Sequence, residues 1–97
     1  MWGEINNKPS SVKESYCLGE ACLIFQYGNE AERTIAFKSK DDLKRAKEFV
    51  LSKQKNFSTR VLDNFVIINV LNRDIELALV NNTHADRLKD VLESLKR

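Results

Sequence analysis

Apolar residues recur along the chain in two similar blocks, and each block predicts two strands followed by a helix. Segment 22–25 (Cys-Leu-Ile-Phe) is echoed 43 positions later by segment 65–68 (Phe-Val-Ile-Ile). The alternating segments 33–38 and 75–80 follow, related by a shift of 42 positions. A helical stripe repeats at that second shift, and Leu43, Ala46, Phe49 and Val50 map onto Ala85, Leu88, Val91 and Leu92.

The two strands of each block differ in their pattern. Segments 21–27 and 65–71 are apolar at both parities, which is typical of strands covered on both faces. Segments 33–38 and 75–80 alternate between apolar and polar residues, which predicts strands buried on one face only. We therefore expect the first kind in the middle of a sheet and the second kind at its edges. The opposite order, with the alternating strands central, remains an alternative.

Each predicted helix begins at a capping residue and has one apolar stripe. Ser39 followed by Asp42 indicates the start of the first helix, and Thr83 followed by Asp86 indicates the start of the second. Amphipathic helices bury their stripes against a sheet, and right-handed connections place both on the same side. The predicted fold is α+β, an internally duplicated ββα-ββα with two helices on one face of a four-stranded, mainly antiparallel sheet. A short N-terminal hairpin strand would make the sheet five-stranded.

The length of 97 residues predicts a single domain. Residues 1–15 are polar around Pro9, and we interpret them as a flexible arm before a domain over residues 16–97. Trp2 is the one large aromatic residue in this otherwise polar arm, and it would either fold back onto the domain or contact a partner. No apolar run is long enough to span a bilayer, and the first residues do not resemble a signal peptide.

Two cysteines flank a predicted turn. Gly19 and Glu20 suit a two-residue hairpin turn, which would place Cys17 directly opposite Cys22. Opposed residues of this kind approach to about 4.5 Å between Cα atoms, within reach of a disulfide. A disulfide would predict a secreted or surface-tethered protein, whereas two free thiols would predict a cytoplasmic one.

The net charge of +2 is small but unevenly distributed. Segment 38–60 holds eight basic and three acidic residues, so it carries +5 and the rest of the chain carries −3. Such a stripe is either a solvated helix face or a surface for phosphate. The candidate basic patch consists of Lys40, Lys44, Lys47 and Lys53.

Residues with catalytic chemistry are sparse. His84 is the only histidine, and no nucleophile, metal-ligand spacing or phosphate-binding loop accompanies it. We therefore predict neither an enzyme nor a cofactor or metal site.

The predicted architecture itself suggests a function, because helices on one side leave the other sheet face uncovered. An exposed apolar sheet face usually marks an interface. We expect a non-enzymatic binding or structural domain that contacts a protein partner or a second copy of itself. The alternative is an intracellular nucleic-acid-binding module that uses the basic first helix. The candidate interface residues are Trp2, Cys22, Ile24, Phe65 and Ile67.

Overall fold

The computed structural model describes residues 9–96, which form six strands and two helices. Three strands and a helix are followed by three more strands and a second helix. The first strand corresponds to the optional N-terminal hairpin strand of the prediction, whereas the first strand of the second unit was not predicted. The elements are β1 (Ser11–Cys17), β2 (Glu20–Gln26), β3 (Arg33–Ala36), α1 (Lys40–Leu51), β4 (Ser58–Leu62), β5 (Phe65–Val70), β6 (Arg73–Ala78) and α2 (Asn82–Leu95).

The fold is α+β, with two three-stranded antiparallel sheets ordered β1-β2-β3 and β4-β5-β6. The predicted four-stranded sheet of ββα units is therefore wrong in its strand number. β4 was not predicted, and β1 was predicted only as an optional short strand; both have few apolar residues and form the outer edges. Residues 11–15 of the predicted arm belong to β1, because their backbone pairs with β2. Residues 1–8, including Trp2, lie outside the described part of the chain.

The turn between β1 and β2 lies one residue earlier than predicted. Leu18 and Gly19 form it, with φ of 55° and 87°, so Cys17 pairs with Glu20 and Cys22 pairs with Ser15. Both turn residues take left-handed conformations, and a turn of this kind has its glycine at the second position. The prediction had placed Gly19 at the first position.

The two sheets meet at the ends of β3 and β6. Phe37 and Leu79 form an isolated antiparallel bridge there. The flanking bonds are reciprocal, since Lys38 N–H donates to Ala78 O at 2.9 Å and Val80 N–H donates to Ala36 O at 3.2 Å. The doubly apolar strands β2 and β5 are central within their own sheets, as expected. The alternating strands β3 and β6 are edge strands of their own sheets, as predicted, but these two edges face each other across the bridge instead of lying on opposite sides of one sheet.

Both helices begin at side-chain caps. Ser39 Oγ accepts from Asp42 N–H at 3.2 Å, which confirms the predicted start of α1. At α2 the cap is Asn81, whose Oδ1 accepts from His84 N–H at 3.0 Å. The predicted cap, Thr83, lies inside the first turn, because Asn81 is the last extended residue before the helix.

A single core lies between the helices and one face of the sheets. α1 packs against β2 and β6, and α2 packs against β3, β4 and β5. Polar contacts tie both outer strands to the helices above them: Lys47 Nζ bonds Glu14 Oε2 at 2.8 Å, and Thr59 donates to Glu93. The largest fully buried side chains are Leu23, Phe25, Ile35, Phe37, Leu43, Val66, Ile68, Leu77, Leu79, Leu88, Val91 and Leu92.

Candidate functional site

The strand residues that alternate with the core residues form the helix-free face. Leu62 and Phe65 are a directly opposed pair on this face, across the turn from β4 to β5. They are 61% and 39% exposed, so they form an open apolar pair. The apolar residues of the helix-free face are Cys17, Cys22, Ile24, Ala36, Leu62, Phe65, Ile67 and Ala78.

The predicted interface residues differ in how accessible they are. Phe65 is exposed and Ile24 is half-buried, whereas Cys22 at 0% and Ile67 at 7% exposure are buried by their neighbours. Leu62 was absent from the prediction, although it lies in the longest apolar stretch of the sequence. The signal that identifies it is the hairpin register, which places it opposite Phe65.

The corresponding pair in the first unit is Ser15 and Cys22. It is not an exposed apolar pair, because Ser15 is polar and Cys22 is buried. The Sγ atoms of Cys17 and Cys22 are 2.02 Å apart, a disulfide bond, with 6.0 Å between their Cα atoms. The bond is diagonal across the hairpin, because Cys17 faces Glu20. The predicted pairing of the two cysteines is thus found, but not their predicted direct opposition.

The hairpin of β1 and β2 extends beyond its counterpart in the second unit. Two residue pairs, Tyr16 with Ala21 and Cys17 with Glu20, lie past the position where β4 and β5 already turn. At the tip, Tyr16 is 66% exposed and Leu18 has no contact that reduces its exposure. The disulfide joins Cys17 in this extension to Cys22 at its base.

The predicted basic patch is only partly assembled. Lys40, Lys44 and Lys47 follow one another along one side of α1, next to β1. The hydrogen bond and charge of Lys47 lower the pKa of Glu14, with smaller effects from Lys40 and Lys44. Lys53 lies beyond the end of α1 with φ of 60°, apart from the other three. The patch therefore contains an internal carboxylate partner for its cations.

His84 has a structural contact at the junction of the two units. Its Nδ1 accepts from Ala36 N–H at 3.0 Å, and Arg87 Nη1 donates to Thr34 O at 3.1 Å on the same edge of β3. Burial lowers the pKa of His84, and the charge of Arg87 lowers it further. The neutral ring therefore completes the hydrogen bonding of an edge strand.

Tyr27 is half-buried beside α2. Burial raises the pKa of its hydroxyl, which has no hydrogen-bond partner among the described residues. The nearby Ser94 hydroxyl donates instead to Val91 O at 2.5 Å.

Neither helix of the described chain is long and apolar enough to cross a membrane. Within residues 9–96, no cluster of three or more histidine, cysteine or acidic side chains has the arrangement of a metal site. Comparison of the chain with protein-family models, with curated proteins and with solved structures finds no match.

Proposed function

We propose that the protein is a non-enzymatic binding domain whose contact surface is the helix-free face, centred on Leu62 and Phe65. The observation that supports this is the exposure of the directly opposed pair, 61% and 39%, on a sheet face without helices. Such cross-strand pairs lower the free energy when a second surface covers them. Aromatic residues are also enriched among those that dominate binding energy.

The partner we propose is a second copy of the chain. The surroundings of the pair carry both signs of charge, with Lys38 and Arg60 near Asp74 and Glu76 on the same face. A two-fold interface brings one patch against itself, so a face with both charges can pair with its own copy. The disulfide is consistent with our further proposal of a secreted or surface-tethered protein.

Sedimentation equilibrium tests this proposal. We expect a concentration-dependent dimer for the unmodified protein and a monomer for Leu62→Lys, because the charge would be buried without a partner. Leu71→Lys is the matched control, since Leu71 is 78% exposed but lies at the turn between β5 and β6. It should remain dimeric. An unmodified protein that stays monomeric at high concentration would rule out self-association, and equal dissociation of both variants would rule out the face around Leu62 as its interface.

The second candidate is nucleic-acid binding through α1. The alignment of Lys40 and Lys44 supports it, but Glu14 already pairs with Lys47. Retention on heparin at low salt that is lost in a Lys40→Gln/Lys44→Gln variant would favour this candidate. No retention at low salt would exclude it.

A further inference from the structure

A groove of about 410 Å³ opens on the helix side of the first sheet, away from the helix-free face. Its walls come from the start of β1 and from the C-terminal ends of α1 and α2. The volume is within the range of about 300–1,000 Å³ that small-molecule sites occupy. The residues that matter for its chemistry are Val12, Val50, Leu51, Leu95, Lys53 and Lys55.

In the second unit, a contact between strand and helix occupies the position that corresponds to this groove of the first unit. Through the strand register and the helix repeat, Val12 corresponds to Thr59, and Leu51 corresponds to Glu93. Thr59 donates a hydrogen bond to Glu93, which joins strand to helix. The first unit has two apolar side chains there instead, and Leu51 remains 58% exposed. The groove is therefore a difference between two copies of one scaffold.

The charge of the groove has one sign. Lys53 and Lys55 both line it, and none of its described lining residues is acidic. The chain reverses direction at Lys53, whose φ of 60° is unusual for a residue other than glycine. Gln54 Oε1 then accepts from Lys55 N–H at 3.1 Å and from Asn56 N–H at 3.2 Å, which orders the turn.

We infer that this groove binds a free single-chain anionic amphiphile, with an aliphatic chain against Val12, Val50, Leu51 and Leu95 and an anionic head at Lys53 and Lys55. An apolar chain gains free energy in proportion to the area that it removes from water. The two lysines select an anionic head over a cationic one. This site is independent of the helix-free face and of its proposed partner.

Amide chemical shifts during titration of the full chain test the inference, with decanoate as the probe below its aggregation concentration. Decanoate should shift the amides of Val12, Leu51 and residues 53–55. Decyltrimethylammonium has the same chain with a cationic head and should bind about tenfold more weakly. Inorganic phosphate, which has no chain, should leave these amides unchanged. Phosphatidylglycerol vesicles should not bind, because the groove takes a free chain rather than a bilayer.

Charge reversal supplies the matched variants. Lys53→Glu/Lys55→Glu should weaken decanoate binding about tenfold, whereas Lys40→Glu/Lys44→Glu, an equal change of charge on α1, should leave it unchanged. Lysines after a helix C-terminus also stabilise the helix through its dipole, so their reversal to glutamate lowers stability as well. Thermal unfolding of both variants separates this loss of stability from a loss of binding. Equal binding of both chain probes, equal effects of both variants, or binding only to vesicles would overturn the inference.

Discussion

Leu18 occupies a backbone conformation that its side chain does not favour and receives no burial in return. It has φ of 55° at the first position of the turn between β1 and β2, and its side chain is fully exposed. Asparagine tolerates this region and, followed by glycine, is the preferred pair for such a turn. We therefore expect Leu18→Asn to stabilise the protein.

The magnitude follows from the backbone alone. A left-handed conformation costs an ordinary residue roughly 1–2 kcal/mol, and asparagine avoids part of that cost. Because Leu18 is exposed, its removal loses no buried apolar area. The expected gain is about 1 kcal/mol in the free energy of unfolding, or about 4–8 °C in Tm for a domain of this size.

Urea and thermal unfolding of three variants check the reasoning. Gly19→Ala should lower the free energy of unfolding by about 1 kcal/mol, because a residue with a side chain disfavours φ of 87°. The added methyl group would meet nothing within 4 Å, so this loss reports the backbone alone. Leu51→Asn replaces an exposed leucine in a right-handed helix, so it should lower stability by about 0.5 kcal/mol through helix propensity. If Leu18→Asn lowers Tm or leaves it unchanged, the backbone argument is refuted.

Three further expectations concern the disulfide, the histidine and the junction. Replacing Cys17 and Cys22 with alanine should lower the free energy of unfolding by about 2 kcal/mol and abolish its dependence on reductant, whereas two titratable thiols in unreduced protein would contradict the bond. The folded protein lowers the pKa of His84. The contribution of His84 to the free energy of unfolding should therefore be complete above the unfolded pKa near 6.5 and decrease as pH falls from there toward the folded pKa. Urea unfolding of His84→Gln should lack this pH-dependent decrease, and an unchanged decrease would contradict its origin in His84. Phe37→Leu and Leu79→Val should be non-additive by about 0.5 kcal/mol or more in a double-mutant cycle of urea unfolding, because these residues meet at the bridge, and strict additivity would contradict a shared core.

The repeat predicted most of the core but not the full extent of β1 or the existence of β4. Periodicity identifies β2 and β5 because both of their parities are apolar, and capping chemistry identifies α1 at Ser39. β1 was predicted only as an optional short strand, with residues 11–15 in the arm, because Lys13, Glu14 and Ser15 interrupt its apolar residues, which an edge strand tolerates with one side in solvent. Edge pairing depends on backbone groups, which the hydrophobic pattern does not report.

The candidate surfaces were harder to predict, because they depend on register. A one-residue error in the turn before Glu20 changes which residue faces Cys22. The exposed partner of Phe65 likewise becomes identifiable only when the turn at Asp63 is placed. The groove needs three elements that are distant in sequence, so no local pattern indicates it.

Comparison of the two units provides a stronger argument than either surface alone, because the shared scaffold controls for what folding requires. On the helix-free face, the first unit has Ser15 and the disulfide where the second exposes Leu62 and Phe65. On the helix side the asymmetry is reversed: the second unit is closed by Thr59 and Glu93, and the first leaves the groove open. Since each closed version is compatible with the same fold, neither open version is required for folding. Each unit thus exposes one apolar surface that its own counterpart closes, and this asymmetry supports both binding proposals because folding alone does not account for it.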